Sequence, residues 1–268
     1  MGKQPFTLPP GSKFRLEEFD PGYTGKYDDD DDAKKDAKEN LKRLYELQEM
    51  MYAQGKRALL IVFQGMDTSG KDGVIKDVVG AFNPQGAHIH SFKVPNSEEL
   101  AHDYLWRVHK VTPARGTVGV FNRSQYEDVL VVRVAKLAPK EVWSKRYDHI
   151  NDFERLLSDC GVSIVKFFLH ISSEEQVERL RDRQETPSKQ WKFSPGDLDV
   201  RKQWDEYQRA YEDALTLCNT EHAPWYVIPA NRKWYRDLAV STILVQTMEK
   251  MDLRYPDPVP NIHSYSVE

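Results

Sequence analysis

Apolar residues along the chain follow two rhythms. Short unbroken runs at Arg57–Phe63 (RALLIVF), Ala87–Phe92, Thr117–Phe121, Val162–Ile171 (VSIVKFFLHI) and Pro224–Ile228 alternate with longer stretches of apolar positions at helical spacing. A short continuous apolar run is how a strand covered on both faces reads, so these five predict strands. Between them, Ala33–Gln54 places Leu41, Leu44, Tyr45, Met51 and Tyr52 at helical spacing with Lys and Glu on the other side, the pattern of an amphipathic helix. Further helices are predicted over Gly73–Phe82, over Ser97–Lys110 with Ser97 as cap, and from Pro139, taken as the first helical residue, to Asp159. Ser173–Gln184, Leu198–Leu217 and Trp234–Met251 complete the set. Strands alternating with helices predict an α/β fold: a parallel five-stranded sheet with helices on both faces, right-handed crossovers, and ligands at the carboxyl ends of the strands.

Outside this frame lie an extended N-terminal arm over 1–32 and a proline-containing tail over 254–268. The frame itself, 33–253, reads as one domain with a lid over about 179–200. The run Asp28–Asp32 is expected to be solvated and to suit the positive end of the following helix, by about 0.3 to 1 kcal/mol per well-placed charge.

Composition narrows the function without choosing it. With 268 residues, 40% hydrophobic and 30% charged, and a formal net charge of -4, the chain reads as an ordinary soluble globular protein with no global sign of a nucleic-acid binder. The start MGKQPFTLPPGSKF lacks the apolar core of a signal peptide and no segment approaches a membrane span, which predicts a cytoplasmic protein. Cys160 and Cys218 have no metal-ligand spacing and are expected to be buried, inert thiols.

The chemistry concentrates after the first strand. The stretch GMDTSGKDG, Gly65 to Gly73, matches the phosphate loop G-x-x-x-x-G-K-[ST] except that Asp72 stands where a hydroxyl is usual. A strand before it and a helix after it are what such a loop requires. Gly65 and Gly70 let backbone N–H groups along Thr68, Ser69 and Gly73 face phosphate oxygens, and Lys71 adds a full charge. Asp67 and Asp72 would repel bound phosphate unless a cation lies between them, and Mg²⁺ prefers one or two carboxylates with phosphate and water. Asp67 is therefore expected to hold Mg²⁺, while Asp72 either helps or serves the first helical turn.

Two further segments belong to the same end of the sheet. After the third predicted strand, FNRSQYED places Asn122 where phosphate-loop enzymes usually carry an acidic residue, with Glu127 and Asp128 close by. Arg123 is positioned to reach a phosphate or to form a salt bridge. On the helix after the fourth strand, Arg179 and Arg183 share a face, and Lys189, Trp191 and Lys192 follow in a polar segment suited to a closing lid.

Taken together, these segments resemble the polyphosphate kinase 2 family of P-loop phosphotransferases. GMDTSGKDG is similar to that family's Walker A, FNRSQYEDVLVVRV (Phe121 to Val134) to its Walker B region, and KQWKFSPGDL (Lys189 to Leu198) to its lid. The resemblance runs from about Phe14 to Asp237, and Asn122 with Glu127 and Asp128 looks like its class III. It implies a P-loop kinase-like fold and reversible, Mg²⁺-dependent transfer of the terminal phosphoryl group of inorganic polyphosphate to ADP and AMP. Residue by residue, it implies that Asp67 serves Mg²⁺ and catalysis, and that Lys71, Arg123 and Arg183 hold the phosphates in transfer. It also implies that Lys76 and Arg133 line a polyphosphate channel, that Glu127 bears on the nucleotide accepted, and that Trp191 and Lys192 lie on the nucleotide side of the lid. A dimer or tetramer is the family's common assembly.

An acceptor phosphate is already ionised near neutral pH, so such a reaction needs no general base, and the eight scattered histidines need supply none. Two rivals remain at this level: an ATP-dependent kinase of a nucleoside or other small molecule with Asp67 as base, and a nucleotide-binding sensor without chemistry.

Overall fold

A computed structural model of the chain describes residues 6–267. Residues 1–5 of the expected arm, including part of the start read as lacking a signal peptide, and Glu268 of the tail lie outside the described residues.

The five apolar runs form one parallel sheet, β1 (Ala58–Gln64), β2 (Ala87–Ser91), β3 (Val118–Asn122), β4 (Val162–His170) and β5 (Trp225–Pro229), in the order β2-β3-β1-β4-β5. β1 is central. It pairs with β3 from Leu59 opposite Val118 and with β4 from Ala58 opposite Val162. Because the chain leaves β1 toward β2 on one side and later crosses to β4 on the other, the strand order reverses around β1. A crevice at the carboxyl ends follows from that reversal.

Every residue of β1 is buried, and its alternation divides the core in two. Leu60 and Val62 join Phe168, Trp225 and the arm residues Phe14, Leu16 and Phe19 on one face. Leu59, Ile61 and Phe63 join Leu44, Val74 and Leu244 on the other. The helices are α1 (Asp30–Gln54), α2 (Lys71–Asp77), α3 (Ser97–Leu100), α4 (Trp106–His109), α5 (Val131–Val134), α6 (Lys140–Trp143), α7 (Arg146–Asp159), α8 (Ser173–Glu185), α9 (Pro195–Lys202), α10 (Trp204–Leu217) and α11 (Lys233–Glu249). Of these α1, α2 and α11 cover the second face, and α7 and α10 the first.

Several expected helices are shorter or broken, each for a local reason. Asn96, not Ser97, caps α3, in a capping box with Glu99. Asp103 Oδ1 then accepts from the N–H groups of Leu105 and Trp106, which ends the expected 97–110 helix and starts a second one. Pro139 occupies the cap position of α6 rather than its first turn, and the expected 198–217 helix divides at Gln203 into α9 and α10. The acidic run enters α1 itself: Asp29 caps it by accepting from Asp31 and Asp32 N–H, and Asp30–Asp32 form its first turn. Cys218 is buried as expected, but Cys160, at the carboxyl end of α7, is exposed. Among the described residues no helix is long and apolar enough to cross a membrane.

Candidate active site

The phosphate loop occupies the turn from β1 into α2, where its backbone is tightly specified. Gly65 has φ +150°, and a Cβ there would lie 2.8 Å from the Leu169 carbonyl oxygen. Gly70 caps α2 at φ +103° with the Arg236 guanidinium filling the space a Cβ would need. An L side chain is excluded at Gly70 by both backbone and neighbour. Between them Thr68 takes φ 67°, a conformation that costs a non-glycine residue about 1 to 2 kcal/mol.

Lys71 is 9% exposed and folds over its own loop, donating to the carbonyl oxygens of Gly65 at 2.7 Å and Met66 at 3.2 Å. Burial, then the nearby Arg123 charge, pulls its ammonium down to about 8, against the opposing pull of Asp67, Glu127 and Asp72. Asp72 Oδ1 accepts from Asn122 Nδ2 at 2.7 Å, joining the first turn of α2 to the end of β3. Asp67 Oδ1 receives Arg123 Nη2 at 2.7 Å, and Arg123 Nη1 meets Glu127 Oε2 at 3.1 Å. Lying between Glu127 and Asp67, Arg123 is held firmly in its charged form.

These groups open on a cleft of about 560 Å³ at the carboxyl ends of the strands. Its lining includes Asp67, Thr68, Gly70, Lys71, Asp72, Gly73, Asn122, Arg123, Arg183 and Lys192 from the sequence-derived set. Among the described residues, nine lysine and arginine side chains line it against five aspartates, and no histidine does. That charge balance suits a polyanion. The oxygen donors at its floor, the Asp67 and Asp72 carboxylates and the buried, unpartnered Thr68 hydroxyl, are of the hard type that Mg²⁺ takes.

A sequence model described as polyphosphate kinase 2 matches residues 26–256. The chain belongs to the polyphosphate kinase 2 family. It is 51% identical over 254 residues to the AMP/ADP-polyphosphate phosphotransferase of Meiothermus ruber, covering 94% of this chain and 95% of that one. To the ADP-polyphosphate phosphotransferase of Rhodopseudomonas palustris it is 45% identical, covering 82% and 80%. The crystal structure of polyphosphate kinase 2 from Arthrobacter aurescens TC1 superposes with a TM-score of 0.91 at 44% identity, covering 98% of this chain and 92% of that one.

In this polyphosphate kinase 2 chain the remaining expected residues are spread more widely. Arg183 reaches the cleft, with Nη1 bonded to Asp197 Oδ2 at 3.0 Å and to the Lys192 carbonyl at 3.3 Å. Gly65 and Ser69 shape the loop from behind the lining, and Glu127 stands behind Arg123. Trp191, 78% exposed, lies on the 3-10 turn Pro187–Lys192, in the segment expected to act as a lid, and not in the lining, with the Lys192 ammonium over its ring. Lys76, on α2, is exposed and outside the lining. Arg133, on α5, pairs with Asp213 at 2.6 Å and donates to the Tyr147 hydroxyl at 3.3 Å, also outside the lining.

Two arginines that sequence reasoning did not place in the site are built into the loop. Arg179 is 8% exposed and donates to the carbonyl oxygens of Thr68, Ser69, Ala230 and Asn231 and to Glu175. Arg236, 2% exposed, packs on Gly70 and Gly73 while bonded to Asp237. The helical spacing of Arg179 and Arg183 marked a shared face; the glycine at 73 was the signal for a close neighbour on that side of α2.

Proposed function

We propose that this chain transfers the terminal phosphoryl group of inorganic polyphosphate to ADP and to AMP. The observation that carries the reading is the phosphate loop opening on a cleft lined by cations in excess, in a chain of this family. Lys71, Arg123 and Arg183 take the oxygens of the group in transfer, and the backbone of Gly65 to Gly73 holds the donor. Asn122 and Glu127 sit on the acceptor side, beneath the lid that carries Trp191 and Lys192. The channel roles for Lys76 and Arg133 draw no support from the cleft, whose lining omits both.

The acceptor is an ionised phosphate oxygen, so the site has no proton to remove. Catalysis then rests on alignment of donor and acceptor and on neutralising charge as the bridging P–O bond breaks and the new one forms. One phosphoanhydride is lost and another made, which leaves the reaction reversible. Asp67, aided by Asp72, would hold Mg²⁺, which supplies further neutralisation of the phosphate oxygens. Arg123 must exchange its Asp67 contact for phosphate in the loaded site. The same reading places the protein in the cytoplasm, with the nucleotide pool, as a dimer or tetramer that sedimentation of the pure protein would detect.

The deciding experiment mixes pure protein, polyphosphate, Mg²⁺ and either ADP or AMP, and follows ATP and ADP formation by chromatography. Product from both acceptors is expected. Failure with both, together with ATP-driven phosphorylation of a nucleoside, would replace this reading by the small-molecule kinase; nucleotide binding without any turnover would replace it by the sensor.

A further inference from the structure

Beneath the turn that carries Arg123 lies a charged pair with no exposure at all. Lys166, in the middle of β4, and Glu154, on α7, are both 0% exposed, with Nζ 2.5 Å from Oε2. Burying two charges costs more than their attraction commonly returns, and an apolar pair of the same volume is often as stable. The pair's geometry points to what it does instead.

Its hydrogen bonds are complete and directional. The three ammonium protons of Lys166 meet three acceptors: Glu154, the Tyr126 hydroxyl at 2.8 Å and the Cys218 carbonyl at 2.7 Å. Glu154 Oε1 accepts from both Tyr126 Oη at 2.9 Å and Gln125 Nε2 at 3.0 Å. One carboxylate oxygen therefore grips two consecutive side chains of the 3-10 turn Gln125–Asp128. The residue before that turn, Ser124, is fully buried and receives Gln64 Nε2 at 3.1 Å from the end of β1.

This turn has an energetic reason to need gripping. Arg123 sits at φ 63°, a left-handed conformation that persists in a non-glycine residue only where the surroundings fix it. It then presents Nη2 to Asp67 and Nη1 to Glu127. We infer that the buried Glu154–Lys166 pair, acting through Tyr126 and Gln125, is a positioning device for Arg123 against the phosphate loop. None of the four lines the cleft. The inference rests on the proposed role of Arg123 at the phosphates.

Tyr126→Phe tests it, because that change removes one of the two links between pair and turn, the other being Gln125, while leaving the ion pair whole. Below the melting transition, the variant is expected to lose turnover by about ten- to a hundredfold and to weaken tripolyphosphate affinity, with the nucleotide KM unchanged. Placed on an Arg123→Ala background, the same change should cost nothing further, in turnover or in tripolyphosphate Kd, because its target is gone. Reading the cycle on Kd as well keeps it decisive if the background turns over too slowly to assay. Glu154→Gln, if it folds, should follow Tyr126→Phe in both readouts. A Tyr126→Phe variant with parental turnover and affinity, or one whose loss is just as large on the Arg123→Ala background, would overturn the inference. Full turnover and affinity in Arg123→Ala alone would instead overturn the role given to Arg123.

Discussion

Arg179→Met is the perturbation whose size the structure sets most directly. Arg179 has five N–H donors and five acceptors: Glu175 at 2.7 Å, Thr68 and Ser69 carbonyls at 2.9 and 3.1 Å, and Ala230 and Asn231 carbonyls at 2.6 and 3.1 Å. It ties the phosphate loop to the end of β5 and to α8. Methionine keeps much of the stem's packing but satisfies none of the acceptors. Breaking a buried charged contact from one side costs about 3 to 5 kcal/mol, and water entering from the adjoining cleft to solvate the loop carbonyls argues for the lower end, about 3 kcal/mol. For a chain of this length that is a fall in Tm of roughly 6 to 12 °C. Urea unfolding and calorimetry would measure it. Arg179→Lys should recover only part, since a single ammonium cannot span both pairs of carbonyls. Turnover should fall about a hundredfold in both variants at temperatures where they remain folded, because the loop loses its placement. Stability within 1 kcal/mol of the parent in Arg179→Met, by the criterion that smaller effects are typical of surface sites, would refute the argument that Arg179 fastens the loop.

Asp67→Asn should cut turnover at least about a hundredfold and shift the Mg²⁺ titration to higher concentration; an unchanged titration with full turnover would remove Asp67 as the ligand. Lys71, drawn down to about 8, is charged below that pH and neutral above it. The kcat/KM for polyphosphate should therefore fall as pH rises through about 8, and a profile flat to high pH would show that the Lys71 charge is not used. Gly73→Ala pits two effects against each other: alanine in α2 favours the helix by about 0.5 to 1 kcal/mol, but its Cβ would stand 3.1 Å from Arg236 Nη2. The expected result is weaker tripolyphosphate binding by isothermal calorimetry with little change in Tm, and unaltered affinity would show that Arg236 contributes nothing at the loop.

The sheet was legible because its strands are covered on both faces: β1 and β4 are nearly unbroken apolar runs, and their observed limits differ from the expected ones by a residue or so. Helix breaks were not legible, because a side chain decided each locally. Asp103 satisfying the N–H groups of Leu105 and Trp106 leaves the apolar spacing over 97–110 intact while ending the helix. Cys160 shows the reverse limit, an apolar-looking residue placed at a helix end that happens to face water.

For the site, what is contiguous in sequence was readable and what folding brings together was not. Asp67, Lys71 and Asp72 fall within one loop, and a strand before it with a helix after it is enough to locate them. Periodicity put Arg179 and Arg183 on one face without saying that Arg179 would turn inward onto the loop carbonyls while Arg183 lined the cleft and met Asp197. Arg236 gave no sign of its own, being one cation among several near the start of α11. Its trace lay elsewhere. Gly70 and Gly73 both face its guanidinium, so the glycine that follows Asp72 is explained by neither phosphate nor turn geometry alone but by a side chain from the last helix. The acidic residue at 72 has a comparable cause, since it accepts from Asn122 at the end of β3 and so ties the first turn of α2 to that strand end. The departures of GMDTSGKDG from the usual phosphate loop are thus contacts with distant segments, which is why the loop's own sequence could raise the question of Asp72 but not answer it.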